Sequence, residues 1–126
     1  MGKFNFSDEE KNRWFQFDID TEVQIKLITK RDLREIARKA AKRAKLTGED
    51  EGDIADRLLG RAAVMGWRKM DDHNHPGIIV NDQPCTFCPE NIDVLITRSI
   101  KFSRFVNQMC IDEDEFLEET ETKNAL

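Results

Sequence analysis

The chain has 126 residues, is 39% hydrophobic and 36% charged, and carries a formal net charge of −5. That length suits one domain around a single core, and a hydrophobic fraction below the usual range with a charged fraction above it makes the core modest and the surface highly charged. No apolar run approaches the ~20 residues that cross a bilayer, residues 1–6 lack a signal-peptide core, and three cysteines, two of them in a Cys-x-x-Cys, favour a reducing cytoplasm over secretion.

Residues 1–12 are expected to be flexible. Phe15 and Phe17 then alternate with Trp14, Gln16 and Asp18, a turn is expected at Asp18-Ile19-Asp20-Thr21, and Val23, Ile25 and Leu27 alternate with Glu22, Gln24 and Lys26. A period of two on both sides of a turn predicts a β-hairpin. Thr29 with Asp32 three residues on forms a variant capping box. The helix that follows places Leu33, Ile36, Ala37, Ala40 and Ala44 on one stripe and ends at Thr47-Gly48. Asp53 is expected to cap a second helix running to about Met65, with Gly66 closing it and Trp67 anchoring the exit in the core. Trp67 to Pro84 reads as irregular or as a small second hairpin, with a strand at Ile78-Ile79-Val80 and a turn at Asn81-Asp82. Pro89-Glu90 suits the first turn of a long third helix reaching Cys110, along which Ile92, Leu95, Ile96, Ser99, Phe102, Val106 and Met109 keep helical spacing. Residues 112–126 form an acidic tail that is expected to be flexible. The reading is a single α+β domain over 1–126, mainly helical, with three helices, an N-terminal hairpin and a small irregular or hairpin segment before the last helix.

Metal-ligand chemistry is confined to one stretch, which holds His73, His75, Cys85 and Cys88. Cys-x-x-Cys converges two sulfurs from one turn, and His-x-His on an extended strand puts both rings on one face, so the four could close a tetrahedral zinc site. The spacing is not that of the usual zinc modules, and the competing reading is two turn cysteines and two exposed histidines, with no cofactor at all.

Charge is strongly divided. Residues 30–45 hold eight cations against Asp32 and Glu35, a balance of +6, which leaves −11 for the rest of the chain. Residues 112–121 carry seven carboxylates around Phe116 and Leu117. The basic helix could meet nucleic acid, but the chain as a whole is acidic and no aromatic side chain interleaves with those cations, so a nucleic-acid partner is not the expectation. No nucleophile elbow and no glycine-rich phosphate loop is present, and the carboxylates lie in charge runs rather than in apolar settings, so an enzyme is not expected either.

Ile28-Thr29 before a charged helix, Gly66-Trp67, Pro89-Glu90-Asn91 at the head of a long helix and a terminal Glu121-Thr122-Lys123-Asn124 together resemble the small tail assembly chaperones of long-tailed bacteriophages and prophages. The likeness runs from about Trp14 onward. It implies a cytoplasmic, non-enzymatic protein that binds the long helical tape measure protein and covers its apolar stripes until the tail tube polymerises. Such proteins are often made in two lengths by a translational frameshift. No catalytic residues come with the resemblance, and the histidines and cysteines of the 73–88 loop depart from it. The expected partner surface comprises Leu33, Ala37, Ala40 and Ala44 on the first helix, Phe102 and Phe105 on the last, and Phe116 and Leu117 in the tail, with self-association also open. The alternative is a small zinc-stabilised adaptor that uses His73, His75, Cys85 and Cys88 and meets nucleic acid through the basic helix.

Overall fold

In the computed structural model the described residues are Gly2 and 11–116. Strand β1 (Asn12–Gln16) pairs antiparallel with β2 (Thr21–Lys26) in the register Phe15 to Val23 and Arg13 to Ile25. The Asp18 carboxylate accepts the backbone N–H groups of Asp20 and Thr21, at 3.2 and 3.0 Å, and so fixes the turn between them. Thr21 is fully buried, and its hydroxyl donates to the Gly77 carbonyl at 3.0 Å, so the hairpin is pinned to a loop 56 residues away.

Helix α1 (Lys30–Thr47) opens on a reciprocal cap, in which the Thr29 hydroxyl accepts the Asp32 N–H and the Asp32 carboxylate accepts the Thr29 N–H. Gly48 ends it in the left-handed conformation, φ 77°. Helix α2 (Glu51–Ala63) is capped by Asp50, whose carboxylate accepts the Asp53 N–H at 3.0 Å. It passes directly into β3 (Val64–Lys69), which pairs antiparallel with β2. A short hairpin follows, β4 (Ile79–Val80) and β5 (Gln83–Pro84), turning through Asn81 and Asp82 at φ 50° and 63°, the two positive values of a type I′ turn. Helix α3 (Pro89–Arg98) and helix α4 (Ile100–Met109) complete the core, and a further helical segment starts at Glu113.

One face of the three-stranded sheet sends Phe15, Val23, Ile25 and Trp67 inward, where they meet Leu59 of α2, Ile92 and Ile96 of α3, and Phe102 and Val106 of α4. Phe102 is 1% exposed; burying such a ring contributes about 1.5–3 kcal/mol. The helices approach closely at Gly60, where an added Cβ would sit 2.7 Å from Cγ1 of Ile96, so α2 and α3 meet almost backbone to side chain. On the opposite face the Arg68 guanidinium lies 3.8 Å from the centre of the Trp14 ring, and its Nε donates to Glu22 at 2.6 Å.

The three-helix architecture read from the sequence is corrected. Among the described residues there are five helices, the fifth being the segment that starts at Glu113, and five strands in two small sheets, about 51% helix and 21% strand, a small α+β domain. The long third helix is broken at Ser99, whose backbone turns extended (φ −121°, ψ 109°) while its hydroxyl accepts the Phe102 N–H at 3.1 Å. In an unbroken helix Phe102 would lie about 120° round the axis from Ile96, so the two would sit at opposite edges of one stripe; with the helix ended and restarted at Ser99, both are buried. The second helix stops at Ala63 rather than near Met65, because Val64 and Trp67 are drawn into the sheet core on either side of a bulge at Met65. Trp67 is thus a strand residue. The ends expected to be flexible lie mostly outside the described residues, as does Leu117, but Phe116 is buried with its ring edge-on to Phe15, centroids 5.3 Å apart.

Candidate partner-binding cleft

The break at Ser99 has a consequence for the surface. It leaves Ile100, the first residue of α4, 72% exposed, while the next turn drives Phe102 into the core. Phe17, at the end of the hairpin's first arm, packs edge-on against both Phe102 and Phe105, with centroids 5.5 and 5.2 Å apart. The Lys101 ammonium stands 4.9 Å from the centre of the Phe17 ring. Between these groups lies a cleft of about 370 Å³ lined by Phe17, Ile100, Lys101, Arg104, Phe105 and Gln108. A second cleft of about 290 Å³ shares Ile100 and Arg104 with it and continues toward α2, where Asp53, Asp56 and Arg57 form the wall. Burial pushes the Asp56 carboxyl above the usual carboxylate range, with Asp53 and Asp50 adding to the effect. The result is a trough with an apolar floor, cations along the α4 side and two carboxylates with one guanidinium, Asp53, Asp56 and Arg57, along the α2 side. Such a surface takes one face of an amphipathic segment better than it takes a small molecule, since both clefts are open to solvent.

The residues expected to bind a partner are divided by the fold. Leu33 and Ala37 are exposed on α1, but Ala40 is fully buried against the rest of the molecule and Ala44 is half-buried. Phe102 and Phe116 are core residues, because each fills the gap between the sheet and the last helices. Both are packed inside the fold rather than presented at its surface. Phe105 alone of the expected aromatic set lines the trough, and Leu117 is outside the described residues. Phe17, Ile100, Lys101 and Arg104 were not foreseen. No local signal marks them: Ile100 continues the i, i+4 row of Ile92 and Ile96, and its 72% exposure follows the break at Ser99.

The four metal candidates are not brought together as a site. His73 stands exposed, 3.9 Å from the Glu22 carboxylate, and His75 turns Nδ1 inward to accept the Gly77 N–H at 2.9 Å. Cys85 is buried, and its carbonyl accepts the Trp67 indole N–H at 2.7 Å. Burial and the neighbouring Cys88 push the Cys85 thiol above its ordinary value. Cys88 is half-buried at the head of α3. Among the described residues no three His, Cys, Asp or Glu side chains are grouped so as to hold a metal ion. The zinc site that the four could close is thus not assembled among the described residues.

No described helix is long and apolar enough to cross a membrane. No family model, curated protein or solved structure matches the chain.

Proposed function

We propose that this chain is a non-enzymatic binding protein, a tail assembly chaperone of a phage or prophage, that acts in the host cytoplasm and holds one face of a helical tape measure protein in the Ile100 trough. The observation that carries this reading is Ile100, 72% exposed at the point where two clefts meet, with Phe17 and Phe105 beside it. An exposed isoleucine between aromatic rings costs solvation in the free protein and recovers it when an apolar side chain of a client enters. A client helix with apolar residues at i, i+3 and i+4 supplies such side chains in a row, and its flanking charges meet Lys101 and Arg104 on one side and Asp53 and Asp56 on the other.

The test is co-expression with candidate long helical proteins from the genes that flank this one, followed by measurement of the affinity of any purified pair. Ile100→Asp places a charge in the trough without touching the core, and is expected to weaken binding by about tenfold or more, the usual effect at the centre of an interface. Unchanged affinity in that variant, or no complex with any tail protein of the same gene cluster, would overturn the reading.

A further inference from the structure

Helix α1 packs chiefly on α2, through a side that includes Ile36, Ala40 and Ala44, and its opposite side is open to solvent. At 100° per residue, Arg34, Lys45, Arg38, Arg31 and Lys42 follow one another around that open side within an arc of about 80°. No other α1 residue falls within this arc. Along the axis the same five recur at intervals of three, four, four and three residues, a straight stripe about 21 Å long. All five are exposed. Arg38 is bonded to Glu35 at the edge of the arc; among the described residues Arg31, Arg34, Lys42 and Lys45 enter no ion pair. Asp32, the other acid of the helix, is committed to the Thr29 N–H.

We infer that the Arg31–Lys45 stripe of α1 is a binding site for the phosphate backbone of double-stranded nucleic acid. The composition of the face argues for phosphate rather than protein. The centre of a protein interface is depleted of charge and enriched in apolar and aromatic side chains, whereas this face is cationic from edge to edge. Three of its five residues are arginines, whose planar forks match phosphate oxygens bidentately. Unpaired, closely spaced cations gain free energy by releasing the counterions condensed on a duplex, and they read no sequence. The lack of an aromatic residue in the arc argues against single strands, which need stacking platforms. The inference is independent of the client reading, because the stripe and the Ile100 trough share no residue.

The experiment is fluorescence anisotropy of a labelled duplex of about 24 base pairs, titrated with the full chain at 50, 100 and 200 mM salt. The expected result is binding whose logarithm falls with the logarithm of salt at a slope of about −4, the value for four to five phosphate contacts. The triple variant Arg34→Gln, Arg38→Gln, Lys42→Gln is expected to lose about tenfold or more at 50 mM salt while keeping the native circular dichroism, since all three side chains are exposed. No binding at 50 mM salt, or equal binding by the triple variant, would overturn the proposal. Tighter binding to a poly-glutamate peptide than to the duplex would overturn it as well, and would assign the stripe to an acidic protein segment.

Discussion

Cys110 is fully buried near the end of α4, with its thiol 3.7 Å from the Asn107 carbonyl, and burial pushes its pKa up to about 11. The unfolded chain ionises this thiol near its ordinary value while the folded chain keeps it protonated. Between those two values the unfolded state binds fewer protons, so stability falls as pH rises, by an amount approaching about 3 kcal/mol above pH 11. Urea unfolding at pH 8 and pH 10.5 is expected to show this loss in the native chain and to show less of it in Cys110→Ala. An equal decline in both would place the alkaline sensitivity elsewhere. The same burial makes Cys110 a poor thiol nucleophile, and of the three cysteines only Cys88 is more than marginally open to solvent.

The elements divide into those whose residues state their own limits and those shaped by packing at a distance. The hairpin could be read from alternation, and α1 from its cap and from Gly48, because each signal lies within a few residues of the boundary it sets. The β4–β5 hairpin was likewise announced by Asn81-Asp82. The break between α3 and α4 was not read, because Ser99 sits on the helical stripe and is tolerated inside a helix until its hydroxyl finds a free N–H three residues on. Its cost and gain are local: Ser99→Ala removes the cap of α4 and is expected to cost about 1 kcal/mol in chemical denaturation. It should also loosen the first turn of α4 that presents Ile100, so hydrogen exchange at Phe102 and Ser103 is the sharper readout. Protection unchanged at both amides would mean that packing alone holds the break. The passage from α2 into β3 was missed for a different reason. Val64 and Trp67 join a strand whose partner lies some forty residues earlier, and nothing within α2 records it. The candidate site followed the same rule, since the trough is made where the helix break meets the hairpin turn, and neither the break nor the meeting is local.

At the scale of the whole molecule, the first hairpin and the last described residues close on each other. The Ile28 N–H donates to the Cys110 carbonyl at 2.7 Å, the Arg13 guanidinium donates to the Glu115 carbonyl, and Phe116 meets Phe15. An acidic segment that reads as a solvated tail is therefore held, at least as far as Phe116, by the one aromatic it contains. Phe116→Ala is expected to cost about 3 kcal/mol of unfolding free energy, measured in urea, whereas a loss under about 0.5 kcal/mol, the range of an ordinary surface change, would show that the closure contributes nothing to the fold. Charge is distributed at this scale too. The cationic stripe of α1 faces away from α2, whose first turns carry the carboxylates, so the net charge of −5 describes neither side of the molecule.

That closure also sets a clock. Phe15 is joined to the chain 101 residues before Phe116, a wait of roughly 5–20 s at ordinary rates of synthesis. During that interval the inner face of the hairpin, with Phe15, Val23 and Ile25, has no completed layer to lie against, since α4 begins at Ile100, well after β2 ends at Lys26. A protein whose proposed work is to keep another chain's apolar stripes covered thus begins its own existence with an uncovered stripe, and the nascent chain should remain sensitive to protease until the residues that close it have cleared the exit tunnel.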